Sequence, residues 1–146
     1  PNASGIMSGL GDAIYDVEIE ENIPAYMGMI FEEICKQYIM EQAKRNTLPF
    51  LIGPVGRWWG NNSKEKRQEE IDILTFRKDK ALFCECKWKN TPVDLDVLED
   101  LKAQGDLFSY NNKWFWVFSK IGFTDKLIRE AERQDNVRLI EFGEMI

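Results

Sequence analysis

Two short patterns, Glu70-Ile71-Asp72 and Glu85-Cys86-Lys87, hold the residues of this chain best suited to chemistry. Each lies in a run of strand-forming residues, Glu69–Phe76 and Ala81–Trp88, joined by Arg77-Lys78-Asp79-Lys80. Side chains alternate between the faces of a strand. Phe83, Glu85 and Lys87 therefore share one face, and Leu82, Cys84, Cys86 and Trp88 share the other. A hairpin closed with Phe76 opposite Ala81 puts Asp72 opposite Glu85 and Glu70 opposite Lys87. Directly opposed carboxylates, with Cβ atoms ~4.5–5.5 Å apart, repel. A divalent cation between them removes that cost, and an all-oxygen donor set suits Mg²⁺ or Mn²⁺. Lys87 stands where it can polarise an attacking water and counter charge at a phosphate.

Such a pattern on a strand is ordinarily a solvated face. Here Asp72 sits among Ile71, Ile73, Leu74 and Phe76, and Glu85 among Leu82, Phe83, Cys84 and Cys86. Acids in so apolar a context are costly to bury without a partner, which favours a site. The sequence contains no histidine, so imidazole bases, histidine triads and most zinc sites are excluded. Hydrolytic chemistry would have to run on carboxylates, lysine and a hard metal ion. No glycine-rich phosphate loop occurs, so a nucleotide site is not expected in this stretch.

The elements that must position these residues can be read in order. A helix is expected over 24–44, with Asn22 as N-cap, Pro24 in the first turn and Met27, Phe31, Ile34, Cys35 and Tyr38 as its buried stripe. At roughly 100° per residue, Glu32 falls at the edge of that stripe beside Gly28 and Ile39, while Glu33 points away. Short strands follow at Phe50–Ile52 and Val55–Trp59, then the two acidic strands. Thr91 with Asp94 marks the start of a helix running to Ser109. Trp114–Ser119 reads as a strand covered on both faces. Thr124 opens a helix to Gln134, and Val137–Glu141 is the last strand. The pattern is α/β: a central mixed sheet flanked by helices, with Ala81–Trp88 and Trp114–Ser119 as parallel neighbours joined by a helical crossover.

Residues 1–21, with Ser4-Gly5, Ser8-Gly9 and Gly11 ahead of an acidic stretch, read as a linker or lead-in, and residues 22–146 as one domain. Because it begins at Pro1, the sequence is expected to be a piece of a longer chain. Its net charge of −6 argues against a nucleic-acid coat protein but not against a metal-dependent nuclease, whose ion offsets its acids. Three cysteines are an odd, sparse set that suits a reducing cytoplasm. No apolar run approaches the ~18–20 residues of a membrane span, so no membrane association is expected.

Glu70-Ile71-Asp72, a turn and Glu85-Cys86-Lys87 resemble the D…E-x-K signature of the PD-(D/E)XK nuclease-like superfamily. More narrowly, Tyr26-Met27-Gly28-x-x-Phe31-Glu32, Gly56-Arg57-Trp58-Trp59-Gly60, Glu70-Ile71-Asp72-Ile73, Glu85-Cys86-Lys87-Trp88 and Ser119-x-x-Gly122-Phe123 are similar to the nuclease-like C-terminal domain of archaeal-type AAA+ ATPases, which also occur in bacteria. The resemblance covers residues 22–146. It implies a restriction-endonuclease-like αβββαβ core, metal-dependent phosphodiester hydrolysis on DNA, and an ATPase domain as partner. It makes Asp72 and Glu85 the ligands of Mg²⁺ or Mn²⁺, Lys87 the catalytic lysine and Glu32 the helix-borne acid. The alternative is a catalytically silent domain that binds DNA or packs against its ATPase. Gln104 lies on the following helix, but Phe108, not a tyrosine, is four residues on. Cys84 and Cys86 are expected to be core, as are Trp58, Trp59, Trp114 and Trp116. Arg57, Lys64, Lys66, Arg67 and Lys89 could meet phosphates near the site, but the interspersed Glu65, Glu69 and Glu70 make a solvated loop the expected setting.

Overall fold

Ala81, Leu82, Phe83 and Cys84 of Lys80–Lys87 and Phe115, Trp116, Val117 and Phe118 of Asn112–Ser119 are buried, and both strands lie inside a five-stranded sheet. The computed structural model describes residues 13–146, with side chains from Ile23 onward. Helix α1 (Ala13–Lys44) precedes β1 (Val55–Asn62), β2 (Arg67–Arg77) and β3 (Lys80–Lys87). Helix α2 (Leu95–Gly105), β4 (Asn112–Ser119), α3 (Asp125–Glu132), β5 (Val137–Glu141) and a short 3₁₀ turn at Phe142–Glu144 complete the chain. The sheet order is β1-β2-β3-β4-β5, antiparallel as far as β3 and parallel beyond it. This is the α/β mixed sheet expected, including the parallel β3–β4 pair with α2 as its crossover.

Each face of the sheet carries its own core. On one, Phe31, Cys35 and Ile39 of α1 pack against Ile73, Leu82, Cys84, Trp116 and Phe118. On the other, Leu98 and Leu101 of α2 and Leu127 of α3 pack against Ile71, Leu74, Phe83, Phe115 and Val117. The α1 contact row steps by four residues, so it drifts around the helix by about 40° at each step. It therefore runs toward Glu32, and Ile39, expected at the stripe's edge, is fully buried.

Several boundaries differ from expectation, each for a local reason. Helix α1 begins at Ala13 with Pro24 inside it, so Asn22 is not its N-cap. Good helix formers at Glu18, Glu20 and Glu21 sustain the helix upstream of Pro24. Residues 1–12 of the expected lead-in lie outside the described residues. Phe50–Ile52 is not a strand: Pro49 and Pro54 remove ladder donors on either side, and Phe50 instead stacks on Trp114 with ring centroids 5.2 Å apart. The N-cap of α2 is Asp94 rather than Thr91. It accepts from Leu95 N–H at 2.8 Å and from the hydroxyl of Thr124, itself the N-cap of α3, at 2.8 Å. Helix α2 ends at Gly105, four residues early, because the chain turns and places Phe108 against Trp58 and Phe83. Trp59, expected in the core, is 58% exposed on β1.

Two glycines are fixed by their surroundings. Gly122 has φ of 120°, and its N–H and C=O both bond the Ser119 hydroxyl, so Ser119-x-x-Gly122 is a turn lock. At Gly53 an added Cβ would lie 2.5 Å from the Phe76 carbonyl oxygen. Gly53→Ala should therefore displace backbone at the end of β2 and destabilise the protein by about 1–3 kcal/mol, measured by urea denaturation. An unchanged midpoint would show that the segment yields freely.

Candidate active site

Beyond Ile73 opposite Cys84 the β2–β3 ladder stops. Past that point the strands fork, and Asp72 is the residue at the fork. The Cys86 N–H, left without a ladder partner, donates to Asp72 Oδ2 at 2.9 Å. On its other side β2 is irregular as well. Gly56 pairs with Leu74 and Trp58 with Ile71, so the single residue Arg57 faces two, Asp72 and Ile73. That bulge explains why Ile71 and Leu74 enter one core while Ile73 enters the other.

The fork opens into a cleft of about 550 Å³ walled by residues that include Glu32, Asp72, Glu85 and Lys87. All four residues singled out from the sequence thus meet in one place. Glu85 and Lys87 project from the end of β3 with Lys87 Nζ 3.6 Å from Glu85 Oε2. Glu32 reaches in from α1 while Glu33 stays exposed, as the helical spacing implied. The expected pairing of Glu70 with Lys87 does not form. Glu70 pairs with Trp59 of β1, because the ladder to β3 has already ended.

Two residues assigned other roles, or none, belong to the cleft. Arg57 lies on β1 rather than in a loop, and though its side chain is 36% exposed its guanidinium bonds Glu32 and approaches Glu70 at 3.6 Å and Asp72 at 3.8 Å. The bulge that aims it there leaves no mark in residue spacing. The other is Gln104, near the end of α2, which donates to Glu69 Oε1 at 3.2 Å and to the Glu70 carbonyl at 2.9 Å. Glu69 is only 7% exposed and also accepts from Asn62 and Arg67. Those bonds, the Asn62 bond first, hold its carboxyl below the ordinary range despite burial.

Electrostatics separates the two central acids. Burial, together with a hydrogen bond to Asp72 and the Asp72 charge, raises the Glu85 carboxyl to about 9, and Lys87 only partly offsets this. Without an added cation Glu85 is therefore held mostly protonated at pH 7. Burial also raises Glu32, with Asp72 and Glu70 adding to the effect, while its bond to Arg57 opposes it. Among the described residues no three His, Cys, Asp or Glu side chains gather tightly enough to enclose an ion alone. Asp72 and Glu85 form a two-carboxylate arrangement, which fits a small hard cation that keeps most of its shell for water or phosphate oxygens. Cys35 and Cys84 are free thiols within the α1 core, and Cys86 packs against it.

The chain belongs to the DUF234 family, archaeal and bacterial proteins of unknown function, matched over residues 1–103. It is 40% identical over 100 residues to the uncharacterized protein MJECL04 of Methanocaldococcus jannaschii, a similarity covering 66% of this chain and 20% of that protein. The chain thus spans about a fifth of the length of this relative. Among solved structures it is similar to a protein of unknown function, AF1548, with 18% identity and a TM-score of 0.49 over 75% of this chain and 58% of that one.

The raised Glu85 carboxyl has a stability consequence. Its value of about 9 in the fold stands above the ordinary 4.5 of an unfolded chain. The folded state therefore binds the extra proton between those values, and stability falls as pH rises through that window. In chelator-treated buffer the wild-type melting temperature should drop from pH 6 to pH 9. Glu85→Gln should flatten that slope and gain roughly 1–3 kcal/mol at pH 8. Parallel slopes for the two proteins would mean that Glu85 is ionised in the fold.

Proposed function

We propose that the cleft at the β2–β3 fork is the centre of a metal-dependent DNA endonuclease of the PD-(D/E)XK nuclease-like superfamily, acting as a module with an ATPase domain. The carrying observation is the meeting of Asp72, Glu85 and Lys87 in one cleft, with Glu85 buried against Asp72. The element order α-β-β-β-α-β-α-β supports the reading, because it contains the superfamily's αβββαβ core. Mg²⁺ or Mn²⁺ held by Asp72 and Glu85 would supply Lewis acidity to a phosphate and lower the pKa of a bound water. Lys87, 3.6 Å from Glu85, is the side chain suited to orient that water and to offset charge growing on the phosphate. Gln104 and Asn62 brace Glu69 at the cleft's edge and keep the end of β2 in place.

The partner is proposed on length: the matched stretch is a fifth of that relative, and the remainder leaves ample chain for an ATPase. A cytoplasmic location is proposed from the three free thiols, which suit a reducing compartment. No helix of the described residues is long and apolar enough to cross a membrane. One observation favours the silent alternative, a domain that binds DNA or packs on its partner. Asp72 already has a backbone donor and a shared guanidinium as neighbours, so its charge is partly offset without an ion.

Two measurements separate the readings. With millimolar Mg²⁺ or Mn²⁺, plasmid or branched DNA should be cut, and Lys87→Ala should slow cutting by about 10²–10⁴-fold. Wild-type protein inert on every substrate with both ions would leave the silent domain as the better reading. In the second, millimolar Mn²⁺ should raise the wild-type melting temperature by mass action, and Asp72→Asn should abolish the shift. An identical response from both proteins would remove Asp72 as a ligand.

A further inference from the structure

Among the residues walling the cleft, five acids (Glu32, Glu69, Glu70, Asp72 and Glu85) face two cations, Arg57 and Lys87. Three of the acids share one guanidinium. Arg57 Nη2 bonds Glu32 and lies 3.8 Å from Asp72 Oδ1, and Nη1 lies 3.6 Å from Glu70 Oε2. Asp72 Oδ2 is engaged by the Cys86 N–H, so Oδ1 is the oxygen most open to a new ligand, and it is the one Arg57 faces. Lys87 does not duplicate this role, since its partner is Glu85.

We infer that Arg57 is the resident counter-cation of the cleft and competes with the divalent ion for Asp72, setting a low metal affinity. This role rests on the metal reading of Asp72 and Glu85. Glu32, Glu70 and Asp72 against one guanidinium leave two negative charges uncompensated, the charge a divalent ion carries. An arginine cannot discharge by losing a proton, so an ion arriving at Asp72 meets a fixed positive charge a few ångströms away. The guanidinium has somewhere to remain when that happens. Its contacts to Glu32 on α1 and Glu70 on β2 do not involve Asp72, so giving up the longest of its three contacts is enough to admit the ion. The bulge is what makes the competition possible, because it sets Arg57 across from Asp72.

Calorimetric titration with Mn²⁺ alone tests this on the wild type, Arg57→Gln, Arg57→Lys and Asp72→Asn. Arg57→Gln should bind the ion on the order of tenfold more tightly than wild type, Arg57→Lys between the two, and Asp72→Asn negligibly. Equal affinities for wild type and Arg57→Gln, with binding lost in Asp72→Asn, would overturn the competition while leaving the metal site standing. Absence of binding in wild type and Arg57→Gln alike would remove the metal site and the competition with it. Should Arg57→Gln fail to fold, the wild-type protein still decides. Under Mg²⁺ titration the Arg57 side-chain ¹H–¹⁵N resonance, assigned by its loss in Arg57→Lys, should move and saturate as the ion binds. A resonance that ignores a saturating ion would overturn the inference.

Discussion

The geometry of this molecule turns on where a single carboxylate finds its partners. Asp72 accepts a backbone N–H from β3 on one side and faces a guanidinium from β1 on the other, at a point where β2 belongs to neither ladder. A regular β2 would send Ile71 and Ile73 to the same face. With the extra residue between them they enter opposite cores, and both are buried. The residue absorbing the change of phase has a backbone without regular ladder bonds, and a buried amide nearby needs an acceptor. A short side chain bearing two acceptor oxygens meets that need. Packing of the two cores and placement of the central acid are thus one constraint.

The same fork explains how residues from both helical layers reach one cleft. Across an intact sheet, Glu32 of α1 and Gln104 of α2 would be separated by the sheet itself. At the open end of β2 they approach from either side, Glu32 through Arg57 and Gln104 through Glu69 and the Glu70 carbonyl. Helix α2 is held by its own cap: Asp94 accepts from Leu95 and from Thr124, tying the start of α2 to the start of α3. The Leu95 N–H, then the Thr124 hydroxyl, keep that carboxyl below its ordinary range. The Val93–Phe123 bridge adds a backbone tie at the same place. The far end of α2 is then positioned by the packing of Leu98 and Leu101.

Alternation and helical spacing made most of this arrangement legible in the sequence. The parallel β3–β4 pair, the face shared by Glu85 and Lys87, and the turn of Glu32 toward the sheet all follow from periods of two and 3.6. The register of the β2–β3 hairpin was readable as far as Ile73 opposite Cys84. What lay beyond was not, because a bulge is a mismatch between two strands and is invisible in either one alone. The aim of Arg57 at Asp72 is hidden for that reason, and so is the true neighbour of Glu70. Helix ends failed differently. Thr91 and Asp94 both offer capping oxygens, and the choice was made by Thr124, thirty residues away in sequence from Asp94. Trp59 looked like core by type, yet its side chain is 58% exposed.

An acidic chain with an acidic cleft poses a question for any reading in which a polyanion is the substrate. Each phosphate brought to Asp72 and Glu85 adds negative charge to a region where five carboxylates face two cations. Neutral Glu85 lowers that burden by one charge, and burial first, then the neighbouring Asp72, keeps it neutral. A divalent ion held there, as proposed, would remove two more and would reverse the preference of Glu85 for its proton, since a cation between two acids favours both in the charged form. On the proposed metal reading, ion, proton and guanidinium would be alternatives for the same negative charge, and a phosphate would approach only once the ion had taken the larger share. Electrostatic attraction for nucleic acid at longer range has to come from surface other than this cleft.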